Sequence, residues 1–295
     1  CVVCVCVLCV CVCKDAHQVK KLIEDAAWYY GISKFVTKFY SPHKKEYAEQ
    51  YKCWPPPLLV PLVSIFILVV FIYYVEVDNR CGGESLGRTD LACPEVFDSI
   101  WAYHFDSAYK NEWWRFITYM CLHAGAAHIT SNLFLQVIVG IPLEMVHGSL
   151  RVFALYLLGG IAGSCCVSIF DDRTNIVGAS AGVYALTAAH VATILNYWSI
   201  MEYKWIRLFI FGLIFGLDFG WSLYKIYAEN DHSVSYTSHL GGALLGFALG
   251  TPLLDEIPKT DGRAWKYFFN YFGIVSVVIC FLFALIWNLV NPQKP

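Results

Sequence analysis

Long runs of apolar residues recur along the chain, and these runs predict helices that cross a bilayer. A transmembrane helix needs about 20 apolar residues. Segments near that length lie at 58–75, 128–146, 152–170, 178–197, 205–224, 236–254 and 267–290. None of them shows the alternation of a membrane barrel strand. We therefore predict an all-α, polytopic membrane helical bundle with seven transmembrane helices.

The composition agrees with this prediction and narrows the partners. Hydrophobic residues make up 58% of the chain and charged residues only 15%, whereas soluble domains carry about 25% charged residues. The net charge is −2, and no long basic block occurs outside the N-terminal tail. These values indicate a lipid bilayer as partner and argue against nucleic acid.

The region before the first span divides into two parts. Residues 1–13 read CVVCVCVLCVCVC, a Cys/Val alternation that a translated TG repeat would produce. We interpret this low-complexity run as an artefact, with metal binding or lipidation as the alternatives. Residues 14–57 predict a cytosolic tail with a juxtamembrane helix, which ends at the three prolines 55–57.

Charge asymmetry predicts the orientation of the bundle. With a cytosolic N-terminus, most of the 21 Lys and Arg residues fall on the cytosolic side. The long loop after the first span then faces the outside or a lumen, where Cys81 and Cys93 could pair. In the same loop, Trp113, Trp114 and Tyr119 predict an aromatic belt at the membrane interface.

Four polar residues occupy similar depths in three different spans. The second, fourth and sixth spans all run inward from the outer face. His128 and Asn132 lie near the start of the second, Ser180 near the start of the fourth and His239 near the start of the sixth. Because polar groups are costly in lipid, each is a functional candidate, and together they predict a water-accessible site.

The residue types suit nucleophilic catalysis. Ser180 lies in a G-x-S-x-G pattern, flanked by Gly178 and Gly182. A serine needs a base to remove its proton, and His239 is the best candidate. His128 and Asn132 share one helix face and could donate to an oxyanion, as could the free N–H groups at the start of the fourth helix.

No acid lies at matching depth in these three spans, so a Ser–His dyad is the preferred interpretation. Asp218, which interrupts the fifth span, is interpreted as an end-of-helix or structural residue. Tyr184 follows Ser180 by one turn and could stack on His239.

Each feature also has a structural alternative. The G-x-S-x-G pattern could serve helix packing, and His239 could be a buried structural histidine. His128 and Asn132 could hydrogen-bond across helices. The coincidence of all four polar residues at one depth favours an active site.

Small residues predict that the fourth and sixth helices pack closely. Gly242, Gly246 and Gly250 recur every four residues, which allows two helix backbones to approach. Their predicted partner is the small face of the fourth helix, formed by Ala181, Ala185, Ala188, Ala189 and Ala192.

Four motifs, taken in the order in which they occur along the chain, resemble those of rhomboid intramembrane serine proteases. They are WWRFITYMCLHAGAAHITSNLFLQ, GIPLEMVHG, VGASAGVYALTAAH and HLGGALLGFALG. The resemblance extends over about residues 54–290 and implies that residues 58–290 form the protease domain. It is strongest to the animal rhomboid-related subgroup, which implies a six-helix core plus one C-terminal helix.

The resemblance also implies roles for individual residues. Ser180 would be the nucleophile and His239 its base, with His128 and Asn132 completing the oxyanion hole. Trp114 and Arg115 would belong to a first-loop signature, Glu144 to a structural polar network and Tyr184 to histidine stacking. No cofactor or metal is implied. The tail has no EF-hand loop motif, so calcium binding is not expected.

The function that the resemblance implies is hydrolysis of single-pass transmembrane proteins, within or near their transmembrane helix, through an acyl-enzyme. Growth-factor precursors are the suggested substrates, and the expected location is a membrane of the secretory pathway (Golgi, endosome or plasma membrane). One alternative is a catalytically silent adaptor of the same fold that controls the trafficking of client membrane proteins. Another is a channel or transporter, against which the uncharged inner halves of the spans argue.

Overall fold

The computed structural model describes residues 56–77, 94–105, 112–171, 174–198, 201, 203–228, 236–254 and 264–290. The predictions for residues 1–13, for nearly all of the tail at 14–57 and for the pairing of Cys81 with Cys93 lie outside these residues.

Eight α-helices make up most of the described residues, which contain no β-strand. They are α1 (Leu59–Ile72), α2 (Arg115–Thr118), α3 (Ala126–His147), α4 (Ser149–Phe170), α5 (Ser180–Asn196), α6 (Lys204–Ala228), α7 (Tyr236–Leu254) and α8 (Ala264–Val290). The prediction of an all-α helical bundle is confirmed, and each of the seven apolar runs contains one long helix.

The fourth apolar run and its helix begin at different residues. The apolar run begins at residue 178, whereas α5 begins at Ser180. Gly178 has a φ of +119°, which no right-handed helix accommodates. The chain therefore turns at Gly178 and enters the helix at the serine itself.

Several helices have the length and composition of membrane spans. In the described part of the chain, Ala126–His147, Ser149–Phe170 and Asn270–Val290 are long and apolar enough to cross a bilayer, and Leu59–Val75 is a shorter apolar segment. Large apolar side chains face outward on the bundle, including Leu62, Phe209 and Leu289. An apolar outer surface of this kind suits contact with lipid. The protein is therefore a multi-pass membrane protein. The number of seven spans stays a prediction.

The core of the bundle is the contact between α5 and α7. A Cβ placed on Gly242 would overlap the carbonyl oxygen of Ala181, and one on Gly246 would overlap that of Ala185. A Cβ on Gly250 would lie 2.7 Å from Cα of Ala189. The predicted contact between the glycine face and the alanine face is confirmed.

The helix α4 joins the same core, and α8 packs on its outside. A Cβ on Gly163 of α4 would lie 2.7 Å from the Ser238 hydroxyl of α7. The Asn288 amide of α8 donates to the Ser168 hydroxyl of α4 over 2.9 Å. The α4, α5 and α7 backbones are thus held together, which sets the positions of side chains at their ends.

The helix α6 is attached much more loosely. A Cβ on Gly212, Gly216 or Gly220 would meet nothing within 4 Å. A cavity of about 360 Å³ separates α6 from α5 and α7, lined partly by Phe215 and Ala243. Open space therefore lies between part of α6 and the close-packed core.

Candidate active site

Ser180 is the first residue of α5, and the chain before it is anchored through its backbone. The Gly178 N–H donates to the Tyr119 carbonyl over 2.9 Å, and the Ala179 N–H lies 3.4 Å from Nε2 of His123. No side chain among the described residues caps α5. The first-turn N–H groups, beginning with that of Ser180, therefore lack a helical acceptor.

His239 and Ser180 meet across the contact between α7 and α5. Nε2 of His239 lies 2.8 Å from Oγ of Ser180. The imidazole stacks on the Tyr184 ring, with 4.6 Å between centroids and 12° between planes. This geometry places a base within hydrogen-bond reach of the hydroxyl. Only 14% of the His239 side chain is exposed.

Of the two interpretations of Asp218, an end-of-helix residue or a structural residue, the first is wrong. Asp218 lies inside α6, and its Oδ2 is 2.9 Å from Nδ1 of His239. The prediction of a dyad considered acids in the second, fourth and sixth spans, whereas this carboxylate comes from the fifth. The available signal was the cost of a carboxylate within an apolar run, which calls for a partner.

His128 lies against the turn that precedes the serine. A Cβ on Gly178 would be only 2.7 Å from Nε2 of His128, so the imidazole edge abuts the glycine backbone. Nδ1 of His128 accepts a long hydrogen bond of 3.5 Å from the Ala124 N–H. In a neutral imidazole this leaves the proton on Nε2, the nitrogen beside Gly178.

Asn132 is buried one turn further along α3. Its amide nitrogen donates to the His128 carbonyl over 2.8 Å. One of its two amide hydrogens is therefore committed within the helix, and the second is the one that could serve an oxyanion.

His123 is a buried residue near the site that the sequence analysis did not single out. Its ring contacts the His128 ring edge-on, with 5.0 Å between centroids. It precedes α3, and burial lowers its pKa to about 3. The uncharged ring supports both His128 and the Ala179 backbone. The signal for it was a second histidine five residues before His128.

Arg115 and Trp114 hold the first loop. The buried Arg115 guanidinium donates to the carbonyls of Ser99 and Ala102 over 2.8 and 2.7 Å, and Trp114 donates to the Ile100 carbonyl over 3.2 Å. Tyr103, which directly follows Ala102, forms a β-bridge with Ile176. The loop therefore braces the segment that leads to Ser180.

Tyr119 does not belong to the aromatic belt that was predicted. It is 1% exposed, and its hydroxyl donates to the Gly160 carbonyl over 2.8 Å. A buried tyrosine is stable where its hydroxyl finds such a partner. Trp113 is 69% exposed, as a residue of an interfacial belt would be.

Glu144 lies sixteen residues after His128 on α3, about 24 Å along the helix axis. Its two carboxylate oxygens accept the N–H groups of Leu59 and Val60 at 2.8 Å each. Ser149 also donates to this carboxylate. The carboxylate caps the start of α1, where N–H groups lack helical acceptors, and it does not reach the serine.

Within the described ranges, no group of three or more His, Cys, Asp or Glu side chains could hold a metal ion.

These features define a multi-pass membrane bundle with a serine–histidine pair between two of its helices. The Rhomboid domain family model matches residues 110–256, a range that includes Ser180, His239, Asp218, His128 and Asn132. Mouse Rhomboid-related protein 2 is 36% identical over 272 residues, covering 88% of this chain and 84% of that protein. The chain belongs to the rhomboid family.

Other relatives show the range of the family. Rhomboid-related protein 1 of Caenorhabditis elegans is 38% identical over 215 residues, covering 72% of this chain and 59% of that protein. Inactive rhomboid-related protein 2 of the same organism is 33% identical over 199 residues, covering 67% of this chain and 54% of that protein. Family membership therefore supports an intramembrane protease or a rhomboid-like protein.

Proposed function

We propose that this protein is an intramembrane serine endopeptidase. The observation that carries the proposal is the 2.8 Å contact between Nε2 of His239 and Oγ of Ser180. A hydroxyl becomes a nucleophile when an adjacent base takes its proton, and this contact provides that base. The tight packing of α5 on α7 supports a preorganised pair.

In the first half of the reaction, Oγ of Ser180 attacks the carbonyl carbon of the scissile peptide bond, and its proton passes to Nε2 of His239. The negative charge then moves to the carbonyl oxygen. Donors suited to that oxyanion are the Ser180 N–H, Nε2–H of His128 and the second amide hydrogen of Asn132. When the tetrahedral intermediate collapses, the amine leaves with the proton from His239 and an acyl-enzyme stays on Ser180.

In the second half, water attacks the acyl carbon and gives a proton to His239. Collapse of the second tetrahedral intermediate releases the carboxylic acid, which then ionises in water, and returns the proton from His239 to Oγ of Ser180. The half-buried position of Ser180 at the start of its helix supports access for water from one face of the bundle.

The proposed substrates are single-pass transmembrane proteins, cut within or near their helix so that an extracellular or luminal fragment is released. A cavity of about 300 Å³ adjoins His239 between α6 and α7, lined partly by Phe215, Phe219, Tyr236 and Leu240. Its apolar lining suits the side chains of a membrane segment. The similarity to animal rhomboid-related proteins suggests growth-factor precursors as the class.

The proposed location is a membrane of the secretory pathway, with a cytosolic N-terminus. The excess of Lys and Arg on that side supports this orientation. A luminal or extracellular active site follows from it.

The test uses the full chain, purified and reconstituted in liposomes with a single-pass test substrate. We expect cleavage by the unaltered protein and fluorophosphonate labelling of Ser180. Ser180→Ala and His239→Ala should each lower the rate of cleavage by at least about 1,000-fold. The control Ser131→Ala alters an exposed serine whose hydroxyl bonds only within α3 and should keep full activity. Full activity of Ser180→Ala would refute the proposal.

The alternative of a catalytically silent adaptor rests on the relative named inactive. It predicts that client helices bind equally well to the unaltered protein and to Ser180→Ala, with no cleavage and no labelling by either. The labelling experiment separates the two functions.

A further inference from the structure

We propose that Asp218 is a positioning residue of the active site, whose carboxylate accepts a hydrogen bond from Nδ1–H of His239 and holds Nε2 toward Ser180. This inference rests on the proposed protease function and adds a third member to the Ser–His pair. The two hydrogen bonds of 2.9 and 2.8 Å on opposite nitrogens of one ring are the basis.

The chemistry of the imidazole explains what such a partner contributes. To take the proton of Ser180, Nε2 must be unprotonated, so the proton of the neutral ring must be on Nδ1. An ionised carboxylate only accepts hydrogen bonds, and one at Nδ1 therefore selects this tautomer. When His239 is protonated during the reaction, the same carboxylate lies beside the new positive charge and stabilises it.

The position of Asp218 also argues for function. It lies on an apolar helix between Leu217 and Phe219, whose side chains are exposed on the outer surface. A carboxylate is costly there unless it is paired, and His239 is the partner that the structure gives it. The groups that face His239 are Ser180 and Tyr184 from α5, Asp218 from α6 and, further away, the imidazole of His128 from α3.

The contact links the loosely packed helix to the chemistry. Ser180 and His239 belong to the close-packed pair α5 and α7, whereas Asp218 belongs to α6, whose neighbouring Gly216 and Gly220 have open space around them. Asp218 also lines the cavity beside His239. The carboxylate therefore reaches the histidine from a helix outside the close-packed pair.

The experiment compares Asp218→Asn, Asp218→Glu and the control Gly216→Ala in the reconstituted full chain. Asparagine keeps the size of the side chain but presents an amide that can leave the wrong tautomer in place. We expect Asp218→Asn to lower kcat by about 10- to 1,000-fold with KM changed less than about 3-fold, below the effect of about 10⁴ for a fully buried triad aspartate. The smaller effect follows because 37% of the Asp218 side chain is exposed.

Two further readouts separate positioning from a purely structural role. Asp218→Glu restores the carboxylate, has space in the adjoining cavity, and should recover at least about 10% of the original kcat. The melting temperature and the fraction of chains labelled at saturation should be the same for Asp218→Asn as for Gly216→Ala, which adds a methyl group in open space on the same helix. Of these three quantities, only the rate of fluorophosphonate labelling should fall in Asp218→Asn, together with kcat.

An unchanged kcat in Asp218→Asn would overturn the inference while leaving the protease function intact. A kcat loss matched by a lower melting temperature, without recovery in Asp218→Glu, would also overturn it and assign Asp218 to stability. If the unaltered protein neither cleaves nor labels, the proposed function itself fails, an outcome distinct from both.

Discussion

Gly242 sets the distance between the two helices that carry the serine and the histidine, so Gly242→Ala is a direct test of how the site is built. The new Cβ would overlap the Ala181 carbonyl, one residue after Ser180. Ordinary contact begins near 3.4 Å, so α5 and α7 must separate locally by about 1 Å. The contact between Oγ of Ser180 and Nε2 of His239 is 2.8 Å and breaks with such a shift.

The expected cost appears in two measurements. Overpacking of a core typically destabilises by about 1–3 kcal/mol, which a thermal unfolding curve in detergent detects. A misplacement of 1 Å at a reacting centre can cost about 100-fold in rate, which we expect for both cleavage and fluorophosphonate labelling. The matched control is Gly212→Ala on α6, where the same methyl group meets nothing within 4 Å. If folded Gly242→Ala were labelled by fluorophosphonate as fast as the unaltered protein, the reasoning would be refuted.

Three further predictions concern the supports of the site. Arg115→Met leaves the Ser99 and Ala102 carbonyls without a buried charged donor and should destabilise the protein by about 3 kcal/mol, measured by thermal unfolding. The control Arg151→Met alters an exposed arginine and should cost far less stability. Equal losses of stability in the two variants would contradict the role of the first loop. Glu144→Gln replaces one acceptor oxygen at the start of α1 and should cost about 1–3 kcal/mol with little change in the labelling rate of folded protein; a melting temperature equal to the original would disprove the cap. Gly178→Ala puts a methyl group 2.7 Å from Nε2 of His128 at a φ of +119° and should slow labelling by at least about 10-fold; Gly148→Ala shares the positive φ but has open space, so a similar slowing there would argue against a role for the His128 contact.

The helical architecture was predictable because the bilayer leaves a chain few choices. A run of about 20 apolar residues must satisfy its backbone internally, and a helix does this with local hydrogen bonds alone. Hydropathy therefore located every long helix in the part of the chain that the structure describes. It did not locate the start of α5, since the turn at Gly178 depends on bonds to Tyr119 and His123, which come from distant parts of the chain.

The spacing of small residues was informative for a related reason. Glycines four residues apart on α7 and alanines on α5 form continuous faces of a helix, and such faces identify their partner by shape.

Tyr119 shows where residue type alone was not enough to predict the position of a side chain. Its neighbours Trp113 and Trp114 have the same interfacial chemistry, and only the position of the Gly160 carbonyl decides that Tyr119 is buried.

The sequence by itself determined the all-helical membrane bundle, the pairing of α5 with α7 and the set of polar residues that could form a site. These follow from local periodicity and from the cost of polar groups in lipid, both of which are properties of single segments. The tertiary structure alone decided that Asp218 of α6 reaches Nδ1 of His239, because the rotation of one helix against another depends on side-chain packing along its whole length. The Ser180, His239 and Asp218 alignment is therefore a property of the assembled bundle.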